Sequence, residues 1–290
     1  YYTSVTWCQN CGGWTQGCWD WLSSHHEGHI CERNPKTSAD SEGTQLYVQE
    51  STSAVTKLQA LKTAVAAFTK AVAEKTKGPD GVAGTADDVN HKIAIVGFAS
   101  TPANSGGESY GNNTEILSIA GSNSGSVGVR YNQLGAAQYA SALQDMSSES
   151  GRTMIENATA ALAASGATRA DLGMEMAASI YDNNPIPAGQ KRNRVVIMFT
   201  DGEPNSSNGF SESVANDAIS NAADLKKDVA SGGAGATVYT IGVMSGADGS
   251  VPVADTASRV NKYMHYCSSN FKNAQSMDAP GTATYPSGGK

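Results

Sequence analysis

The sequence predicts an α/β fold: a doubly wound, mostly parallel sheet flanked by helices, with a Cys- and Trp-rich insertion at its N-terminal end. Three observations carry that expectation. From about Ser51 the chain alternates helical and strand patterns, the order that builds a parallel sheet with helices on both faces. Two apolar runs, "RVVIMFT" from Arg194 and "ATVYTIGVM" from Ala236, have the length of buried strands and are separated by one helical stretch. The first of them stops on a carboxylate and a turn, "DGEP", Asp201 to Pro204. In open sheets of this kind ligands bind beyond the carboxyl ends of the strands.

The elements follow in order. In "SAVTKLQALKTAVAAFTKAVAEKTK", residues Leu58, Leu61, Val65, Phe68 and Val72 form one stripe, with Lys57, Lys62 and Lys70 largely off it. That spacing predicts an amphipathic helix, stopped by Gly78 and Pro79. "KIAIVGFAS" from Lys92 reads as one buried strand and "TEILSIA" from Thr114 as a shorter edge strand. Three helices are expected over 132–146, 152–164 and 171–181. The strand from Arg194 comes next, then the helix "SESVANDAISNAADLKKDVA", the strand from Ala236, and a last helix over 254–266. The Gly-, Ser- and Asn-rich stretch 101–113 reads as an exposed loop.

Bulk composition narrows the function classes. Of 290 residues only 16% are charged and the net charge is -7, so nothing is built to neutralise phosphates and no nucleic-acid partner is expected. No apolar run approaches the ~18 residues of a membrane span. Abundant Gly, Ser, Thr and Asn with few Lys and Glu suit an extracellular or cell-surface protein. The chain starts at Tyr1 in a strand-like stretch and ends on "TYPSGGK", which reads as an internal piece of a longer protein.

Four of the five cysteines, Cys8, Cys11, Cys18 and Cys31, fall in the first 31 residues, together with all four tryptophans and "SSHHEGH". Such a cluster fits either a disulfide staple or a metal knot. Cys8-x-x-Cys11 is the only zinc-like spacing, and an extracellular setting favours two disulfides, with all three pairings open. Cys267 stands alone and reads as a buried free thiol. The tryptophans are expected mainly as the subdomain's own core.

Two groups of oxygen donors stand out. The first is Asp201 with "SGATRADLGMEMA", where a Gly-Ala-Thr turn leads into a helix and places Thr168 one helix and one strand before Asp201. Both can then sit on one rim of the sheet. The plainer reading of Asp201 is that it only caps the turn that follows it. The second group is "GPDGVAGTADDVNH", where Asp80, Asp87 and Asp88 among glycines are compatible with a Ca²⁺ loop, though the spacing is not that of an EF-hand. A solvated acidic connection is the favoured reading there.

"VVIMFTDGEP" with "GATRADLG", the helix "TKLQALKTAVAAF" and the strand "HKIAIVGFAS" together resemble the von Willebrand factor type A domain, the integrin I-like fold. The resemblance runs over roughly 51–271. It is nearest to the variants on Gram-positive bacterial surface proteins, including pilus-tip adhesins. It implies a metal-ion-dependent adhesion site in which Thr168 and Asp201 hold Mg²⁺ or Mn²⁺, a hard cation with few protein oxygens and an open position for a partner's acidic group. The family also places an Asp-x-Ser-x-Ser motif before the first helix. Here the nearest string, "QESTSA", puts Gln49 in the Asp place and Ser51 and Ser53 in the Ser places. The preferred account puts that motif and the first strand upstream of Tyr1. Residues 1–50 are then a disulfide-stapled insertion, and 51–290 is a von Willebrand A-like domain without its first and last strands.

The resemblance therefore implies a non-enzymatic extracellular adhesion module, cell-wall-anchored or on a pilus, binding a protein or glycan through a divalent cation. The alternative is a structural pilus or cell-wall shaft domain with a vestigial metal site.

Overall fold

The computed structural model describes residues 5–8, 13–16, 32–33, 56–99, 114–121, 127–164, 166–206, 209–227, 235–244 and 259–283. The chain divides into two compact units, Tyr1–Val55 and Thr56–Lys290. In the first, β1 (Val5–Cys8), β2 (Gly13–Gln16) and β3 (Glu32–Arg33) form an antiparallel sheet in that order. Trp7 stands opposite Trp14, and Cys8 opposite Gly13. Cys11, Cys18 and Cys31 lie outside the described residues, as does the loop 101–113.

The second unit opens with α1 (Lys57–Lys75), whose N-cap Thr56 accepts the Gln59 N–H at 3.1 Å. Its stripe is half-buried at Leu58, Leu61, Val65 and Val72, but Phe68 is 48% exposed and Thr69 is the buried residue on that side. The helix packs on α3 (Glu149–Ala161), and the Lys62 ammonium donates to the Ala160 carbonyl at 2.6 Å.

"KIAIVGFAS" does not run as one strand. It splits into β4 (Lys92–Ile93) and β5 (Val96–Gly97), which pair with different partners. At the break the Ile95 N–H donates to Ser118 Oγ at 3.0 Å while its carbonyl accepts from the Leu117 N–H. A side chain thus replaces a ladder partner, and the pairing turns a corner. β6 (Glu115–Ile116) is central between β5 and β7 (Val129–Arg130), with all three antiparallel, and its surroundings 114–119 are almost wholly buried. It is therefore not an edge strand. The helix expected over 132–146 is reduced to α2 (Ala136–Ala140): Leu134 and Gly135 are extended, and Gln144–Asp145 forms β8 antiparallel to β4.

The remaining elements are present, with α3 three residues earlier at both ends than the expected 152–164, and with 254–258 of the last expected helix outside the described residues. α3 begins at N-cap Ser148, which accepts the Gly151 N–H at 3.0 Å. Then come α4 (Ala170–Asp182), β9 (Val195–Thr200), α5 (Glu212–Lys226), β10 (Thr237–Gly242) and α6 (Arg259–Cys267). β9 and β10 are parallel with Val195 opposite Thr237, the one parallel pairing among the described residues. The architecture is thus α/β with a small parallel sheet and short antiparallel pieces.

α4 organises the core. Met174 and Ala170 join a cluster with Met198, Val238, Ile219, Leu225 and Tyr263, while Met176 and Ile180 join a second one with Ile116, Ile119 and Val129. Its close approach to β5 depends on Gly173, where a Cβ would stand 3.0 Å from Phe98 Cβ and Cδ1. Cys267 is a buried free thiol.

β9 and β10 differ in how their edges are closed. The Thr237 N–H donates to the Arg194 carbonyl and the Val243 N–H to the Thr200 carbonyl. The even-numbered residues of β9 therefore face β10, and Val195, Ile197 and Phe199 offer their backbone groups to the other edge. There Tyr181 Oη takes both the N–H and the C=O of Val195. On the outer edge of β10, Ser269 Oγ accepts the Val238 N–H at 2.8 Å. Beyond Val195, the free edge of β9 has no strand partner among the described residues, and Ile197, Tyr239 and Ile241 expose nearly half or more of their surface. No helix among the described residues is long and apolar enough to cross a membrane.

Candidate functional site

Three segments meet where β9 ends: the turn after Thr200, the loop that leads into α4, and the N-terminus of α1. Thr200 is buried and its hydroxyl closes the turn, donating to the Gly202 carbonyl at 3.2 Å and lying 3.3 Å from the Gly202 N–H. Among the described residues the turn is held by the Thr200 hydroxyl, and Asp201 is exposed on the rim. Pro204 behind it is fully buried, and its carbonyl accepts the Ser211 N–H at the start of α5.

The Thr168 loop is clasped to this turn by Asn205. The Thr168 N–H donates to Asn205 Oδ1 at 2.9 Å, and the Asn205 N–H donates back to the Thr168 carbonyl at 3.0 Å. Thr168 Oγ1 then lies 3.4 Å from where a Cβ on Gly202 would stand. Thr168 and Asp201, 33 positions apart in sequence, thus lie on two loops that Asn205 ties together.

The loop is anchored from below. Arg169 and Asp171 form a bidentate pair (Nε–Oδ1 2.8 Å, Nη2–Oδ2 2.6 Å), with side chains only 13% and 5% exposed. Asn221 of α5 donates to the Asp171 carbonyl at 3.0 Å. Breaking one member of such a buried pair leaves an uncompensated charge and costs about 3–5 kcal/mol, so the first turn of α4 is firmly held.

The third side belongs to α1. Lys57, its first residue, places Nζ 3.6 Å from Asp201 Oδ2, with side chains 53% and 58% exposed. Sequence patterning marked Lys57 only as lying off the apolar stripe, and Asn205 had no distinguishing signal beyond following "DGEP". Both owe their place here to tertiary contact.

Carboxylate and hydroxyl oxygens are the donor types a hard cation takes. The two loops carry one exposed carboxylate, Asp201, and the Thr168 hydroxyl, and the Lys57 ammonium stands beside the carboxylate. Ser51 and Ser53 lie outside the described residues. Among the described residues there is no group of three or more His, Cys, Asp or Glu side chains arranged to hold a metal.

The acidic loop after α1 is organised by its own backbone. Asp80 Oδ1 accepts the Val82 N–H, Asp88 Oδ2 the Gly84 N–H, and Asp87 both the Asp80 N–H and the Thr85 hydroxyl. The Thr85 hydroxyl bond, with backbone help, holds the Asp87 carboxyl below its usual range. Each carboxylate acts as a turn-closing acceptor, the part short acidic side chains play in loops.

No family model, curated protein or solved structure matches this chain.

Proposed function

We propose that the chain is an extracellular adhesion module of the von Willebrand A type, with a doubly wound sheet completed by strands beyond those described. In this reading it binds a protein or glycan partner through a divalent cation, Mg²⁺ or Mn²⁺, at Thr168 and Asp201. The observation that supports this reading is that the loop carrying Thr168 is clasped to the turn carrying the exposed Asp201 carboxylate, by paired hydrogen bonds between Thr168 and Asn205. Asp201 supplies the charged ligand and Thr168 the neutral one. Asn205 holds the two loops in register, and the Arg169–Asp171 pair fixes the helix start behind them. The bound cation would supply a Lewis-acidic position that an acidic group on the partner completes.

A second reading, a pilus or cell-wall shaft domain with a vestigial site, is favoured by one observation: Lys57 already neutralises Asp201. The test is adhesion of protein-coated beads to immobilised extracellular matrix proteins and glycans, with and without chelator, for the wild type and Asp201→Ala. Loss of binding in chelator and in the variant supports the adhesion site. Binding that ignores both excludes it and leaves the shaft reading.

A further inference from the structure

We infer that Lys57 is a resident counter-ion of the rim, which a divalent cation must displace from Asp201 and which thereby sets the cation affinity of the site. The inference rests on the cation reading of Thr168 and Asp201 given above.

Lys57 Nζ is 3.6 Å from Asp201 Oδ2. A divalent ion ligated by that oxygen would sit about 2.1 Å from it, so the ammonium and the ion would compete for one carboxylate oxygen. They cannot both stay at contact distance, because at about 4 Å two like charges repel appreciably even in solvent, and a dication doubles the term. Lys57 is free to yield. It lies in the first turn of α1, its side chain is 53% exposed, and its only ion-pair partner among the described residues is Asp201. The backbone of that turn is held independently, by the Thr56 cap and by the Ala60 N–H on the Thr56 carbonyl, so moving the side chain does not unravel the helix. The site therefore has two states: Asp201 paired with an ammonium, or Asp201 on a dication with the ammonium swung out into solvent beside the open position.

Such a device raises the cation concentration needed to load the rim, and it does so electrostatically, so that salt weakens it. The protein in its full length is titrated with Mn²⁺ alone, with the free ion followed by electron paramagnetic resonance, at about 20 mM and about 500 mM KCl. Lys57→Gln is expected to tighten Mn²⁺ binding about three- to tenfold at low salt, with less than about a twofold difference remaining at high salt. Lys57→Arg, which keeps the charge, should stay within about twofold of the wild type. Measurable Mn²⁺ binding in Lys57→Gln with none in the wild type also supports the inference. Equal affinity of wild type and Lys57→Gln at both salt concentrations overturns it while leaving the cation reading standing. Absence of Mn²⁺ binding in both proteins overturns the cation reading and the inference together. Because the side chain is exposed, neither substitution is expected to disturb folding, and a thermal melt of each checks this.

Discussion

The clasp made by Asn205 allows the rim to be loosened without touching either candidate ligand. In Asn205→Ala the Thr168 N–H loses its acceptor at 2.9 Å while the reverse bond, Asn205 N–H to Thr168 carbonyl, is a backbone contact and survives. One hydrogen bond of this kind contributes about 1 kcal/mol net. Thr168 is half-buried, so water meets part of the lost acceptor, and the cost stays near that figure. If the clasp holds Thr168 in the liganding position, weakening it by about 1 kcal/mol lowers the competent population up to about fivefold, and the apparent dissociation constant rises by the same factor. Asn205→Asp keeps an acceptor oxygen and adds a negative charge to the rim, so its affinity should rise instead. Mn²⁺ titration of the three proteins, with urea denaturation of each, separates the effects. The expected order of affinity is Asp above Asn above Ala, with Ala less stable by about 1 kcal/mol. An alanine variant that loses the stability but binds Mn²⁺ as the wild type does would show that the clasp is purely structural and refute the positioning argument.

Other consequences follow from the core. Lys226 is buried, its ammonium donating to the carbonyls of Tyr266, Ser268 and Phe271 at 2.9, 3.1 and 2.9 Å, and burial pushes its pKa down to about 8 from 10.5. Between those values the unfolded chain binds the extra proton. Stability from this group is therefore lowest below pH 8 and recovers as pH rises toward 10.5, by about 3 kcal/mol in total. Urea melts across that range should show wild type gaining this amount of stability relative to Lys226→Met as pH rises, and a difference that stays constant would contradict it. The Cys267 thiol is pushed up to about 12 by burial, so it should resist a thiol reagent at neutral pH until the protein unfolds, and reaction with the folded protein at the rate of a free thiol would be inconsistent with that burial. Gly173→Val would place a branched side chain against Phe98, where even a Cβ stands at 3.0 Å. It should lower stability by about 1–3 kcal/mol in a denaturant melt.

How much of this could be read from the sequence depended on whether the deciding contact was local. α3, α4 and α5 were all expected from the sequence, while the serine caps that set the starts of α3 and α5, Ser148 and Ser211, were not singled out, and α3 begins three residues before its expected start. β9 and β10 form a parallel pair as their apolar runs suggested, but they are not buried on both faces, since Val195, Ile197, Tyr239 and Ile241 are exposed. The break in "KIAIVGFAS" was not, because it is made by the hydroxyl of Ser118, 23 residues away. The shortness of α2 has the same kind of cause, since Gln144 and Asp145 are taken by β4. At the rim, residue types pointed to Thr168 and Asp201, whereas the neighbours that tune them did not announce themselves. Asn205 and Lys57 act through loops that only the folded chain brings together. Phe68 shows the limit of a helical stripe: spacing gives a face, and the neighbour decides which edge of it is covered.

The most direct test of the account is Mn²⁺ binding to the full chain, its Asp201→Ala variant and its Thr168→Val variant, read by electron paramagnetic resonance. The cation reading expects one bound ion in the wild type, loss of that ion when the carboxylate is removed, and a weakening of about tenfold when the hydroxyl alone is replaced. An ion held equally well by all three proteins would place the metal elsewhere and remove the basis for an adhesion site at this rim.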